Sequence, residues 1–377
     1  MKYRIGILLL GLAFTVPANA WSGFTAGNIV VTRFDGGGAA LGSGKAATTY
    51  LDEYTPGGTL VNSTVMPITV ASSGNRALTN AGTSSSEGHL NLSANGKYFV
   101  LAGYNAAPNT LGLTTSNAAT LNRVIGRVTM RGIIDTTTAL TDAYSTTGTI
   151  TTNIRMVASD NGTNFWTTGT GGNNIGTRYT TLGGTASTQL HTALPTNVRT
   201  VNIFNGQLYV GAQSTNAGVY TVGTGLPTTS GQALTILPGF PAGTTPSYYD
   251  FAFGDASTLY VADDRTVATG GGLSKWVLSG GTWGLSYTLG SANGLTAGLR
   301  GLTLTKDGSG NNVLYATSAD TLTKLVAVTD TGSGSMFTTI VTAATNTAFR
   351  GVEIVTIPEP ATLALMALGG LALLRRR

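Results

Sequence analysis

Four arginines occupy equivalent places in this sequence. Arg155, Arg199, Arg300 and Arg350 are each followed two positions on by an apolar residue: Val157, Val201, Leu302 and Val352. Guanidinium groups present planar forks of N–H donors that suit carboxylates and sulfates, so several gathered together would make an anion site. The same alignment puts Tyr249 at a fifth such position and Gly88 or His89 at a sixth. A plainer reading competes with the ligand reading. Each arginine would tie a carbonyl or an acid on the next repeat, and a position repeated through a repeat protein is better explained by the repeat itself.

Other chemistry is thin. With no cysteine, thiol nucleophiles, thiolate metal sites and disulfides are excluded. His89 and His191 lie far apart, neither stands in an HExxH pattern, and no GxSxG elbow occurs. Asp307 to Asn311 (DGSGN) places oxygen side chains at alternate positions but lacks the terminal acid of a calcium loop, so a turn is expected. The adjacent pairs Asp52-Glu53 and Asp263-Asp264 would point to opposite faces of a strand, which argues against shared metal binding. No metal or cofactor is expected. Trp166, Trp276 and Trp283 could stack on sugars, but filling a β-core is the simpler expectation.

The elements that must position the arginines repeat at about 45 to 55 residues, a period of propellers. The clearest units read VRTVNIFNGQLYVGA (198–212), YYDFAFGDASTLYVAD (248–263) and LRGLTLTKDGSGNNVLYAT (299–317). Weaker copies are GHLNLSANGKYFVLAG (88–103) and IRMVASDNGTNFWTTG (154–169). Apolar residues alternate with period two on either side of Asn-Gly turns at 95–96, 161–162 and 205–206, the pattern of β-hairpins. NIVVTRF (28–34) reads as the second strand of a unit whose first is missing, while FRGVEIV (349–355) reads as a first strand with nothing after it. Pairing the two ends would complete a unit and remove an open sheet edge. The expectation is an all-β fold, a single six-bladed β-propeller whose N- and C-terminal strands close one blade. A pair of β-sandwiches or a β-helix is the alternative. Residues 71–86 and 105–122, rich in Ser, Thr, Asn and Gly, read as surface loops.

The formal charge of +5 is misleading. Lys2, Arg4 and Arg375 to Arg377 are five of the 21 basic residues, leaving 16 in the body; Glu359 is one of the 16 acids, leaving 15. A body charge of +1 gives no reason to expect nucleic acid. The basic residues belong to the two ends. MKYRIGILLLGLAFTVPANA has a basic start, an apolar centre and the small-x-small ending Ala18-Asn19-Ala20, which reads as a signal peptide over 1–20 cut before Trp21. An uncleaved N-terminal anchor is the alternative. At the other end Pro358-Glu359-Pro360 precedes an apolar run from Ala361 to Leu374 and the closing Arg375-Arg376-Arg377. That run of 14 residues would make a helix of about 21 Å, short against a hydrocarbon core of about 30 Å.

The ordered triple of Pro-Glu-Pro, short hydrophobic segment and arginine cluster resembles the PEP-CTERM sorting signal of Gram-negative bacteria. The resemblance covers only residues 356–377, behind a body of 21–355. It implies recognition by an exosortase-type membrane protease, transient anchoring of the tail in the inner membrane, and a role at the cell surface or in exopolysaccharide. The expected function is therefore that of an exported structural or binding protein, with exopolysaccharide as the expected partner. A glycan-active propeller enzyme (lyase, hydrolase or lactonase) and a protein-binding adhesin are the alternatives. The enzyme would need clustered acids at a channel mouth, and the adhesin an exposed apolar patch.

Overall fold

A computed structural model of the chain describes residues 23–356, except 149, 174, 214, 215, 242 and 244. The expected signal peptide and all but the first residue of the expected sorting segment lie outside the described residues. Within them the period-two alternation folds into antiparallel strands, and helix is limited to single 3-10 turns such as Leu113–Thr115.

The chain opens with β1 (Ile29–Asp35), β2 (Ala46–Tyr54) and β3 (Leu60–Val65), paired in that order. A short strand, β4 (Thr79–Ala81), leads to β5 (Leu90–Leu92), β6 (Tyr98–Tyr104), β7 (Arg123–Thr129) and β8 (Ile134–Leu140). Four separate four-stranded sheets follow. They are β9 (Asn153–Ser159), β10 (Asn164–Thr170), β11 (Gly176–Thr181) and β12 (Thr188–Gln189); then β13 (Val198–Phe204), β14 (Gln207–Ala212), β15 (Gly218–Val222) and β16 (Leu234–Ile236). Next come β17 (Tyr248–Asp255), β18 (Thr258–Asp263), β19 (Gly272–Ser279) and β20 (Thr282–Leu289). The last sheet holds β21 (Leu299–Lys306), β22 (Asn312–Ser318), β23 (Lys324–Thr329) and β24 (Thr338–Thr342).

The final strand, β25 (Thr347–Ile354), pairs antiparallel with β1, with Ile29 opposite Ile354 and Val31 opposite Val352. The two ends of the body thus share one sheet. The result is an all-β, propeller-like arrangement with four separate blades and one nine-stranded sheet. Separate first and second units were expected, but β4 fuses them: Ala46 to Thr48 pair with Thr79 to Ala81, and Thr79 pairs on with Tyr104. The fusion also corrects the reading of 71–86 as a surface loop, because Arg76 to Ala81 are buried. The Arg76 guanidinium donates to the carbonyls of Ser72 and Gly74 within this segment and of Thr137 in β8, which ties the segment to that strand.

Apolar side chains fill the seams between successive sheets. Val30, Leu51, Phe99 and Leu101 fill one seam; Val100, Tyr104, Val157 and Phe165 the next; Trp166, Val201 and Val210 a third. Val219, Phe251 and Trp276, then Tyr260, Leu302 and Leu314, then Leu325, Phe349 and Ile29 continue the series. Burying each such side chain contributes about 2 kcal/mol. The first strands also touch one another in turn: β5 with β9, β9 with β13, β13 with β17, β17 with β21, β21 with β25, and β25 with β5. The approach is so close at two points that only glycine fits. A Cβ on Gly301 would lie 2.5 Å from the Arg350 carbonyl oxygen, and one on Gly351 would lie 2.1 Å from the Leu90 nitrogen.

Candidate functional site

The register of the inner strands decides where the arginines go. Arg155 and Met156 together oppose the single residue Thr168, and Arg300 and Gly301 oppose Thr317. Likewise Arg350 and Gly351 oppose Thr32, while Arg199 and Tyr249 are extra residues between paired neighbours. Every one of these positions is a β-bulge, a device that re-aims a side chain out of the alternation. Five inner strands thus turn one residue each toward a common place near the strand starts.

There the four arginines surround Tyr249. The Arg199 guanidinium carbon sits 3.9 Å from the Tyr249 ring centroid, and that of Arg300 sits 5.7 Å away. Arg155 and Arg350 both feel the Tyr249 hydroxyl electrostatically, and His89, at the sixth aligned position, has its ring 6.4 Å from that of Tyr249. Arg155, Arg199, Arg350 and Tyr249 are at most 8% exposed; the Arg300 side chain keeps 19%.

Their partners differ. Each Arg350 nitrogen has an acceptor: Nε donates to the Ser84 carbonyl (2.7 Å), Nη1 to that of Phe349 (3.0 Å) and Nη2 to that of Gly82 (3.2 Å). Arg155 Nη1 donates to Asn197 Oδ1 (2.6 Å) and to the Val198 carbonyl (3.0 Å), but its Nε has no acceptor. Arg300 Nε lies 3.6 Å from Asp264 Oδ2, too long for a hydrogen bond. Arg199 is the least satisfied, with buried Nε and Nη1 both lacking an acceptor. An unmet buried donor costs about 1–3 kcal/mol, and more on a charged group.

Residues 82–87 lie against this cluster. Besides the two carbonyls on Arg350, Ser85 Oγ shares a 2.8 Å hydrogen bond with the Tyr249 hydroxyl. Glu87 ends the segment, buried, and accepts from the Ala81 N–H (2.8 Å), the Tyr104 hydroxyl (2.9 Å) and Asn153 Nδ2. Burial pushes the Glu87 pKa up, against the pull of these donors and of Arg123. Burial first, and Arg199 second, push the Arg155 pKa down to about 9; burial and Arg300 do the same at Arg350, also to about 9. Both remain charged at pH 7, so positive charge is crowded here with Asp264 and the more distant Glu87 as its acids.

Next to the cluster, His89 Nδ1 lies 3.7 Å from Asp250 Oδ2. Asp250 is buried and accepts from the N–H groups of Phe251 (2.9 Å) and Leu302 (3.1 Å). Glu353 accepts from Thr303 Oγ1 at 2.8 Å, and its pKa is pushed up to about 8, first by burial and also by Asp250.

The remaining candidates are structural. Asp307 accepts from the N–H groups of Ser309 and Asn311 (2.9 Å each), a closed turn. Asp263 is paired with Arg265 (2.7 Å), Asp264 accepts from Ser247 Oγ (2.7 Å), and Asp52 is paired with Arg33 (2.5 Å). Glu53 accepts from the Thr25 N–H and Asn28 Nδ2, each at 2.7 Å. His191 Nε2 accepts from the Thr177 N–H (3.1 Å) while Nδ1 faces the Ala193 carbonyl (3.1 Å). Trp166, Trp276 and Trp283 are buried in the seams. Among the described residues no group of three His, Asp or Glu side chains is placed to hold a metal ion. One cluster escaped sequence reasoning altogether: Asp330 accepts from Lys275 Nζ (2.7 Å) and from the hydroxyls of Tyr260 and Tyr287. Its members come from two sheets, and no local pattern links them.

No curated protein sequence matches the chain. Among solved structures, a candidate 6-phosphogluconolactonase from Bacteroides uniformis is 12% identical over 83% of this chain and 82% of that one, with a TM-score of 0.45. Another from Bacteroides fragilis is 12% identical over 83% and 81%, at 0.43. A hypothetical selenium-binding protein from Sulfolobus tokodaii is 10% identical over 89% and 94%, at 0.41. Likenesses this distant say nothing about chemistry. The expected motif residues Pro358, Glu359, Pro360, Arg375, Arg376 and Arg377 fall outside the described residues, as does the apolar run between them. Among the described residues no helix is long and apolar enough to cross a membrane. Residues 356–377 match the family model of the PEP-CTERM protein-sorting motif, so the chain carries that sorting signal behind a propeller-like body, which implies export and recognition by an exosortase.

Proposed function

We propose that this chain is an exported structural or binding protein of the cell surface or exopolysaccharide, delivered by an exosortase-like system. Residues 1–20 act as its signal peptide, 21–355 as its working body and 356–377 as its removable tail. The match of 356–377 to the sorting motif carries the reading. The body is a six-bladed propeller, with β25, β1, β2 and β3 as one blade and β5 to β8 as another. The unbroken cycle of contacts among β5, β9, β13, β17, β21 and β25 supports that count. Fractionation of the producing bacterium tests the delivery: the body should be recovered at the surface or in the matrix without Arg377. Mass spectrometry that finds Arg377 intact on the surface protein would overturn the processing step.

The hydrolase form of the glycan-active alternative would generally use two carboxylates open to the sugar. Asp250, 3% exposed and bonded to two backbone N–H groups, serves instead as a structural acceptor. The adhesin reading has one observation in its favour. Leu60, Val61, Val65, Ile68 and Val70 are exposed along and just beyond β3, whose outer edge is unpaired. If this edge binds another protein, Val61→Lys should abolish that contact while leaving the melting temperature unchanged.

A further inference from the structure

We propose that the bulged arginines around Tyr249 form a binding site for an oxyanion, a carboxylate or sulfate group, with Arg199 as its principal ligand. The oxyanion chemistry stands on the site alone. Its source, an acidic polysaccharide, rests on the surface role proposed above.

Three of the four arginines form a graded series. Arg350 has every nitrogen satisfied by carbonyls, two of them from the strand-joining segment at Gly82 and Ser84. In Arg155 one nitrogen is satisfied and Nε is not. Arg199 leaves two buried nitrogens without an acceptor. Arg76, Arg127 and Arg178, elsewhere in the described fold, each leave one buried nitrogen without an acceptor, and Arg199 is set apart by leaving two. The Arg199 guanidinium carbon lies over the Tyr249 ring at 3.9 Å from its centroid, a cation–π contact that leaves the N–H donors free for acceptors. A planar or tetrahedral oxyanion supplies acceptors to such donors, and its charge offsets the crowding of Arg155 against Arg199 and of Arg350 against Arg300. Neutral hydroxyls would meet the donors without meeting the charge. The partial exposure of Arg300 marks the open side, where an acid group carried on a longer chain can enter.

The test uses the full chain in mild detergent. Calorimetric titration with sodium sulfate, sodium glucuronate, polygalacturonate and glucose separates the sources. Saturable binding of sulfate or glucuronate, with none of glucose, is expected, and Arg199→Gln should weaken it at least tenfold. Arg127→Gln, which removes a distant pair with Asp135, should leave it unchanged. Binding of polygalacturonate alone would support the site and assign it to polymer ends or chains. Should Arg199→Gln fail to fold, the Nε nitrogen resonance of Arg199 in the unaltered chain gives the answer, since sulfate must shift it along a saturable curve. Absence of binding, or equal binding by Arg199→Gln, would overturn the inference even if the protein is found at the surface. Binding by a protein that never reaches the surface would instead overturn only the proposed role.

Discussion

Arg199 and Tyr249 sit at the same bulge position of neighbouring inner strands, and the guanidinium of one lies 3.9 Å from the ring centroid of the other. The ring is the common neighbour of four cations, so its two parts can be tested separately. Tyr249→Phe keeps the face and loses the 2.8 Å link to Ser85, for an expected cost of about 1 kcal/mol. Tyr249→Ala leaves a cavity among the arginines and should cost about 3 kcal/mol. Urea unfolding midpoints of the two variants measure both.

Asp330 should matter to stability beyond its single charge. Burial alone would raise its pKa, but donors from Lys275, Tyr260 and Tyr287 outweigh that and hold it below the usual carboxylate range. A depressed folded pKa means that the stabilisation is present above the unfolded value of about 3.9 and is lost as pH falls through the lower folded value. Asp330→Asn should therefore cost about 2 kcal/mol at pH 6, with the difference from the unaltered protein shrinking below about pH 4. Thermal melts across that range provide the check.

Glu353 has the opposite sign. Its folded pKa of about 8 lies above the unfolded value, so the folded form retains a proton that the unfolded chain has lost. Stability should fall as pH rises from about 4.3 to 8 and level off beyond. Glu353→Gln keeps an acceptor for Thr303 and should flatten that slope, gaining about 2 kcal/mol at pH 9, a figure reduced for the solvent contact the side chain keeps. Calorimetry at pH 5 and pH 9 would show it.

The pairing of β25 with β1 makes a prediction about length. The last backbone bonds of the body join Val355 to Asn28 and Gly27, each at 2.9 Å. A chain ending at Thr356 should melt within a few degrees of the full chain. One ending at Asn346 loses the strand that fills the seam with Ile29 and Leu325, and should unfold without a cooperative transition. Circular dichroism melts distinguish the two.

Much of this architecture is legible in the sequence. The Asn205-Gly206 turn, with both residues at positive φ (48° and 72°), is where the alternation placed it, and FRGVEIV does pair with the strand that NIVVTRF announced. The shared position of the arginines was also visible. Their bulges were not, because a one-residue slip such as Arg199 leaves composition and alternation almost unchanged. Nor was β4: Thr-Asn-Ala sits in a polar stretch and is buried only because Asn80 Oδ1 accepts from Thr49 Oγ1 while its Nδ2 donates to the Ala102 carbonyl. The Asp330 cluster depends wholly on contacts between sheets, which no window of sequence contains.

The direction of the last strand has a consequence for where the sorting tail begins. β25 passes Arg350 near the Tyr249 cluster and leaves the body at its other end, by Ile354. Pro358 follows four residues later, a covalent reach of about 14 Å. The sorting motif at 356–377 thus begins two residues beyond the last strand, on the side of β25 away from Arg350 and the Tyr249 cluster.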